Sequence, residues 1–386
     1  VSLRTMTMMI PPEIDRRCRV LREEVRDFLR HEIRSGAITP QCDAWLTGFD
    51  PQFTRRLGAR GWLGMTWPKA YGGHERSQFE RFVVIEELLA AGAPTAAHHT
   101  NDRQVGPMIL RCGTEHQKKT VVAGIARGEC IVAIGLSEPD TGSDLASVRT
   151  RATRTGTGWR INGSKIWTSF AHHAHYLIAL CRTGDAGAQR HGGLTQFIVK
   201  LPNPGVRIRP IRLLTGGHHF NQVFLDDVEV SDDGVLGEVG GAWTQISAEL
   251  ALERSGPERF LSTFPLLSYV AGVAGQSSGD EMLCAIGDLT SQLWALRAMS
   301  IDVAQMLESG RSTNTEAAMV KDLGTRFEGD VPDRLRAFVM PEPSLSSGDA
   351  AQALLAQAIL QSPGYTLRGG ANEILRGIVA RDLGLR

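Results

Sequence analysis

Glu253 is the residue whose type and spacing most directly suggest acid–base chemistry. It falls in the series Trp243, Ile246, Leu250, Glu253, Pro257, Phe260, Phe264 and Leu267, whose steps alternate between three and four residues. That spacing predicts one stripe along a helix, with the carboxylate facing the core or a pocket. A carboxyl among apolar neighbours is expected to ionise less readily, which suits a general base. Glu249 and Glu258, off the stripe, are expected to face solvent. Pro257 cannot donate to the Glu253 carbonyl, so the helix is expected to loosen or kink there. The competing reading is an ion pair of Glu253 with Arg254, Arg259 or another cation.

A second candidate is the loop Leu136-Ser137-Glu138-Pro139-Asp140-Thr141-Gly142-Ser143-Asp144. It reads either as a plain polar turn between strands or as a cradle whose backbone N–H groups and hydroxyls meet a pyrophosphate. Histidines gather at His98-His99, His172-His173-His175 and His218-His219, without HExxH spacing or nearby cysteines in a zinc pattern. They read as loop or surface histidines, and no metal site is expected. Gly192-Gly193 and Gly216-Gly217 read as turn punctuation, and no GxGxxG follows a strand, which leaves a nicotinamide fold unsupported. The six cysteines, Cys18, Cys42, Cys112, Cys130, Cys181 and Cys284, contain no CxxC pair and are expected to be buried thiols in a reducing compartment.

The elements that must position these residues fall into three textures. Residues 13 to about 126 carry helical periodicity, as in Ile14, Cys18, Leu21, Val25, Phe28, Leu29 and in Phe82, Ile85, Leu88, Leu89. The charged run from Arg16 to Arg30 reads as a solvated helix face. From about 130 to 236 come short apolar runs bounded by Gly, Asp and Pro, such as 131–134, 176–180, 197–199 and 223–225. They are spaced too closely for helical crossovers and predict an antiparallel barrel or sandwich. After Trp243 helical texture returns, with an interruption expected near Gly329–Pro343. The expected fold class is α+β, with domains at 1–126 (helical), 127–237 (β) and 238–386 (a helical four-helix-bundle domain).

The chain has 386 residues, 42% of them hydrophobic, with 42 basic and 42 acidic side chains. Balanced charge gives no global attraction to nucleic acid or an anionic membrane. The first residues read as no signal peptide, and no apolar run reaches the roughly 18 residues of a membrane span. The expectation is a soluble cytoplasmic enzyme.

Two segments, the loop Leu136–Asp144 and the stretch Trp159-Arg160-Ile161-Asn162-Gly163-Ser164-Lys165-Ile166-Trp167-Thr168-Ser169, resemble flavin-site signatures of the acyl-CoA dehydrogenase family. The Phe220–Val230 strand, Leu236-Gly237 and the stretch Gly369–Leu385 match as well, in the right order over nearly the whole chain. The resemblance implies FAD, contacted by Leu136, Ser137, Thr141, Gly142, Ser143, Trp167, Thr168 and Ser169. Ser169 matches the family residue at flavin N5, Trp167 the aromatic that packs on the ring, and Ser143 a residue at the flavin and thioester end. For Trp167 the competing reading is an ordinary core tryptophan.

The implied reaction is α,β-dehydrogenation of an acyl-CoA: a carboxylate takes the α-proton, flavin N5 takes the β-hydride, and a polarised carbonyl stabilises the developing charge. Familiar members carry the base near the C-terminus, where this sequence has Gly369. A minority branch carries it on the helix after the β-domain, directly before an arginine, and there this sequence has Glu253-Arg254. Glu253 is thus the expected base, Arg254 a substrate-side residue, and the Gly369 backbone N–H a donor to the thioester oxygen. The stretches Gly279–Leu293 and Leu354–Tyr365 lack the RxxFG-type and GGxGY-type segments that a neighbouring subunit supplies in typical homotetramers. This implies either a heterotetramer with a paralogous subunit or a homo-oligomer with divergent contacts, passing electrons to an electron-transfer flavoprotein. The alternatives are a catalytically silent scaffold subunit and a flavin oxidase or monooxygenase on the same fold.

Overall fold

The computed structural model describes residues 12–184, 191–246, 254–275, 278–338 and 342–385. Contacts divide the chain into two compact units. One comprises Val1–Asp50, Glu75–Ala96 and Ala251–Arg386, and the other Pro51–His74 and Ala97–Leu250.

The first unit is helical. Its helix Pro12–Arg34 buries Cys18, Leu21, Val25, Phe28 and Leu29, the stripe that the sequence predicts. Helix Gln78–Ala90 starts at a capping box, in which the Ser77 hydroxyl accepts from the Glu80 N–H and the Glu80 carboxylate from the Ser77 N–H. The charged face of Pro12–Arg34 is not simply solvated. Arg22 and Arg26 pair with Glu86 and Glu87, buried acids that gain partners instead of remaining unpaired in the core. The unit also contains helices Asp280–Glu308, Asn314–Leu335, Ala350–Tyr365 and Asn372–Asp382. Asn314–Leu335 runs through Gly329 and carries Pro332 inside it, so the expected interruption begins only beyond Leu335.

The stripe from Trp243 to Leu267 is not one helix. Residues 247–253, Glu249 and Glu253 among them, lie outside the described residues. Beyond them Arg254–Gly256 forms a turn, Pro257 opens a 3-10 turn to Arg259, and a separate helix runs Phe264–Val273. Proline at the first position of a helical turn needs no N–H donor, so Pro257 starts an element here where the sequence suggested a kink. Glu258, expected in solvent, is fully buried because the chain turns inward at this break.

A buried polar cluster fills the centre of this unit. The Arg368 guanidinium donates twice to Asp43, at 2.7 and 2.6 Å, and lies over the rings of Trp45 and Tyr365. Glu328, fully buried, accepts from the Ser262 N–H at 2.8 Å. Burial raises its carboxyl from an ordinary 4.5 to about 7, against the lowering effect of Arg368. A carboxyl raised by folding destabilises progressively as pH climbs from its unfolded to its folded value. Glu328→Gln is therefore expected to stabilise the protein by up to about 3 kcal/mol at pH 8 and by less at pH 5. Urea denaturation at the two pH values checks this.

The second unit holds the sheet. Its strands are β1 Val132–Gly135, β2 Arg151–Arg154, β3 Trp159–Ser169, β4 Tyr176–Arg182, β5 Leu194–Lys200, β6 Val206–Ile211, β7 Phe220–Val230 and β8 Val235–Leu236. The order is β6-β7-β3-β2-β4-β5-β8, with β1 beside β4. The terminal strands β6 and β8 do not pair with each other, so the sheet is sandwich-like and not a closed barrel. Most pairings are antiparallel, as expected, but β1 and β2 run parallel to β4. The β2–β3 hairpin supplies the long connection that a parallel β1–β4 pair requires. Alternation packs Trp159, Ile161, Val223, Leu225, Leu177, Ala179, Phe197 and Val199 into one core. Ile178 and Ile198 face the other way, onto Val105, Met108 and Ile109 of the adjoining helical segment.

Candidate active site

The loop after β1 and the end of β3 come together in the second unit. The Ser137 carbonyl accepts from the Ile166 N–H at 2.9 Å, and the Leu136 carbonyl from Lys165 Nζ at 3.1 Å. Lys165 also donates to Glu138 at 2.8 Å, and both side chains are buried. The Glu138 carboxylate takes two further bonds, from the N–H groups of Arg149 and Thr150 at 2.7 and 2.8 Å. Burial alone would raise this carboxyl, but Lys165 and the two donors outweigh it and hold the pKa below its usual value. Reciprocal backbone bonds between Glu138 and Thr141 close the tip of the loop. One buried carboxylate thus ties residues 136–150 to β3.

The remaining residues of the β3 motif each solve a local problem. Asn162 bonds both ways with Asp227, a residue at φ 47° where β7 bulges against β3. A Cβ on Gly163 would lie 2.5 Å from the Thr150 hydroxyl oxygen, so only glycine fits that close approach. Between the pairs Lys165–Val223 and Thr168–Asn221, β3 has one residue more than β7. In this bulge Trp167 takes φ 58° and is 52% exposed, its ring edge-on to Phe220. A bulky residue held in left-handed backbone with its ring in the open is strained in a way typical of functional positions. Trp167 is not an ordinary core tryptophan.

The other sequence-derived positions differ in exposure. Gly142 and Ser143 are exposed, Leu136, Ser137 and Ser169 are half-buried, and Thr141 and Thr168 are buried. The Thr168 hydroxyl has no hydrogen-bond partner. Exposed N–H-bearing turn residues, an exposed indole and an accessible serine on the adjoining strand fit a flat, phosphate-bearing cofactor such as FAD.

Of the clustered histidines, His173 and His175 are exposed and His172 and His218 half-buried, in line with loop or surface positions, while three others depart from that reading. His98, His99 and His219 are buried, and His98 Nδ1 lies 2.9 Å from the Thr54 hydroxyl. His172 stacks on His218 at 4.2 Å, and His218 contacts Asn221, whose amide donates to the Thr168 carbonyl. Burial, with His173 and His218 adding repulsion, lowers His172 to about 4, so it is neutral at physiological pH. The cysteines also divide: Cys18, Cys42 and Cys181 are buried, Cys112 and Cys130 half-buried and Cys284 exposed.

In the first unit, Arg254 and Gly369 meet. Arg254 is buried, and its Nε donates to the Gly369 carbonyl at 3.1 Å. Gly369 and Gly370 lie at φ 70° and 96°, backbone that glycine adopts without penalty. Their N–H groups have no hydrogen-bond partner among the described residues. Lys321, missed in the sequence, sits beneath this turn. Its signal was the helical spacing Ala317, Lys321, Thr325, Glu328, which puts a lysine on a buried stripe. Lys165 was equally legible, since alternation from Ile161 places it on the inward face.

Residues 16–129 match the acyl-CoA dehydrogenase N-terminal domain, and residues 133–228 match the middle domain. The acyl-CoA dehydrogenase IpdE1 of Mycobacterium tuberculosis is 34% identical over 86% of this chain and 87% of its own length. The chain belongs to the acyl-CoA dehydrogenase family. It is accordingly an oxidoreductase of a flavoprotein family that acts on acyl-CoA thioesters. A solved structure described as the Tcur3481–Tcur3483 steroid acyl-CoA dehydrogenase superposes with a TM-score of 0.83 at 30% identity, covering 97% of this chain and 98% of that one. The ChsE4–ChsE5 complex from Mycobacterium tuberculosis matches with a TM-score of 0.83 at 26% identity, covering 98% of each chain. Among the described residues no helix is long and apolar enough to cross a membrane.

Proposed function

We propose that this acyl-CoA dehydrogenase uses FAD to desaturate an acyl-CoA between its α and β carbons, with Glu253 as the base that takes the α-proton. The observation that carries the reading is the 3.1 Å bond from Arg254 to Gly369. It brings the residue next to Glu253 beside the C-terminal turn where familiar members keep their base. A carboxylate at 253 and a glycine at 369 then divide one task. The Gly369 N–H holds the thioester oxygen, and Glu253 removes the proton that this polarisation acidifies. Arg254 fixes the turn from its carbonyl side. Ser137, Gly142, Ser143, Trp167 and Ser169 hold and orient the flavin, on the loop that Glu138 and Lys165 secure. When bound, FAD supplies the acceptor for the β-hydride, and an electron-transfer flavoprotein is the outlet for the electrons.

The segments Gly279–Leu293 and Leu354–Tyr365 lack the flavin-contacting residues that a neighbour contributes in homotetramers, and the steroid dehydrogenase and ChsE4–ChsE5 structures carry two-component names. We therefore place this chain in a heteromer with a paralogous subunit, acting on a bulky acyl-CoA. Co-expression with a paralogue encoded nearby, followed by flavin counting and an acyl-CoA screen with an artificial electron acceptor, tests the reading. The expected result is a yellow complex with fewer flavins than chains and turnover of bulky acyl-CoAs. Full flavin occupancy in a homo-oligomer of this chain would overturn the heteromer, and a colourless, inactive complex would favour a silent scaffold subunit.

A further inference from the structure

We infer that Lys321 is a positioning residue for the thioester carbonyl, acting through the Gly369-Gly370 turn. The inference rests on the proposed role of the Gly369 N–H.

Lys321 lies on helix Asn314–Leu335 and is fully buried. An ammonium has three donors and no acceptor. Lys321 Nζ meets the Thr366 carbonyl at 3.1 Å, the Gly370 carbonyl at 2.8 Å and Asn372 Oδ1 at 2.6 Å. Asn372 is itself fixed, since its amide donates to the Asp322 carbonyl and the Thr325 hydroxyl, both at 3.3 Å. Arg254 takes the intervening Gly369 carbonyl. Two buried cations thus engage the carbonyls of residues 366, 369 and 370.

The consequence lies with the N–H groups of the same turn. A tight run with its carbonyls held by cations leaves its amides to face whatever else approaches, the geometry by which backbone nests bind anionic oxygen. Gly369 and Gly370 N–H are the ones without partners among the described residues. A Cβ on Gly370 would lie 3.2 Å from Arg254 Nη2, so the second glycine lets the guanidinium close on the turn. Negative charge grows on the thioester oxygen as the α-proton leaves. A positive charge held in a low-dielectric interior near that oxygen favours the enolate more than the ground state. Lys321 therefore contributes both the shape of the turn and part of its field.

The test uses holoenzyme and a 3-oxoacyl-CoA of matching chain, whose α-carbon acidity is read by titrating the enolate absorbance. Wild-type enzyme is expected to lower that pKa relative to free ligand. Lys321→Met is expected to raise the bound ligand's pKa by about one unit and to lower kcat about tenfold with KM little changed. Lys321→Arg should recover part of both. Should Lys321→Met fail to fold, Asn372→Asp keeps the shape and offsets the ammonium charge, and it is expected to shift the pKa the same way. A wild-type shift that the folded variants retain in full would overturn the role of Lys321 alone. Wild-type enzyme that leaves the ligand's acidity at its free value would overturn the Gly369 reading as well.

Discussion

Glu253→Gln is expected to lower turnover by about 10²–10⁴-fold, the range that a positioned proton acceptor contributes, while flavin content stays at the wild-type level. The glutamine keeps the size and a polar end of the side chain but loses the negative charge and the ability to accept a proton. None of the residues that secure the proposed flavin loop changes, because the tie between Glu138 and Lys165 lies within the sheet-bearing unit. The Arg254–Gly369 bond involves the arginine side chain and a backbone oxygen, and it also survives the substitution. Steady-state rates with an artificial acceptor, set against the ratio of flavin to protein absorbance, separate the two effects. Loss of flavin together with rate would mean a structural role, and an unchanged rate would place the base elsewhere.

Lys165→Met should have the other large effect, on stability and cofactor retention. The substitution leaves Glu138 buried without its cation, a loss that typically costs about 3–5 kcal/mol. Lys165 also holds the Leu136 carbonyl, so the start of the loop proposed to hold the flavin loses its anchor to β3 at the same time. Glu138→Gln is expected to be milder. Its remaining carbonyl oxygen can still accept a backbone N–H from Arg149 or Thr150, although Lys165 then lacks a counter-charge. The pH dependence has a definite sign. Folding lowers the Glu138 carboxyl below its ordinary 4.5, so its contribution is present above that value and disappears as pH falls through the folded value. Acid should therefore release flavin from wild type below about pH 4.5, and Glu138→Gln should lose that part of the acid sensitivity. Denaturation curves and flavin release across pH 3–7 measure both expectations.

How far the sequence could be read depended on whether a residue's constraint was local. The helix Pro12–Arg34 was legible because its stripe repeats over the whole element. The strands β4 and β5 were legible from apolar runs between turn residues. Lys165 and Lys321 sit at inward positions of their own periodicities, so their burial was written in the spacing, but their partners lie 27 and 45–51 residues away. Trp167 was singled out by type, whereas its left-handed backbone depends on a register shift against β7 that no local pattern encodes. The Trp243–Leu267 stripe misled for a related reason. Alternating steps of three and four persist through Pro257, yet the chain breaks there and begins a new element, which buries Glu258. The histidine cluster and the parallel β1–β4 pair likewise depend on pairing between distant segments.

The proposed chemistry assigns proton removal to the side chain at 253 and not to any group on the Gly369 turn. Deuterium incorporation at the α-carbon of a saturated acyl-CoA measures that step directly. The holoenzyme is incubated in deuterium oxide, without electron acceptor or oxygen, and the ligand is recovered for mass analysis. Wild-type enzyme is expected to label the α-position readily, and Glu253→Gln at least about 10²-fold more slowly. Labelling by Glu253→Gln at the wild-type rate would rule out Glu253 as the base, even if overall turnover had fallen.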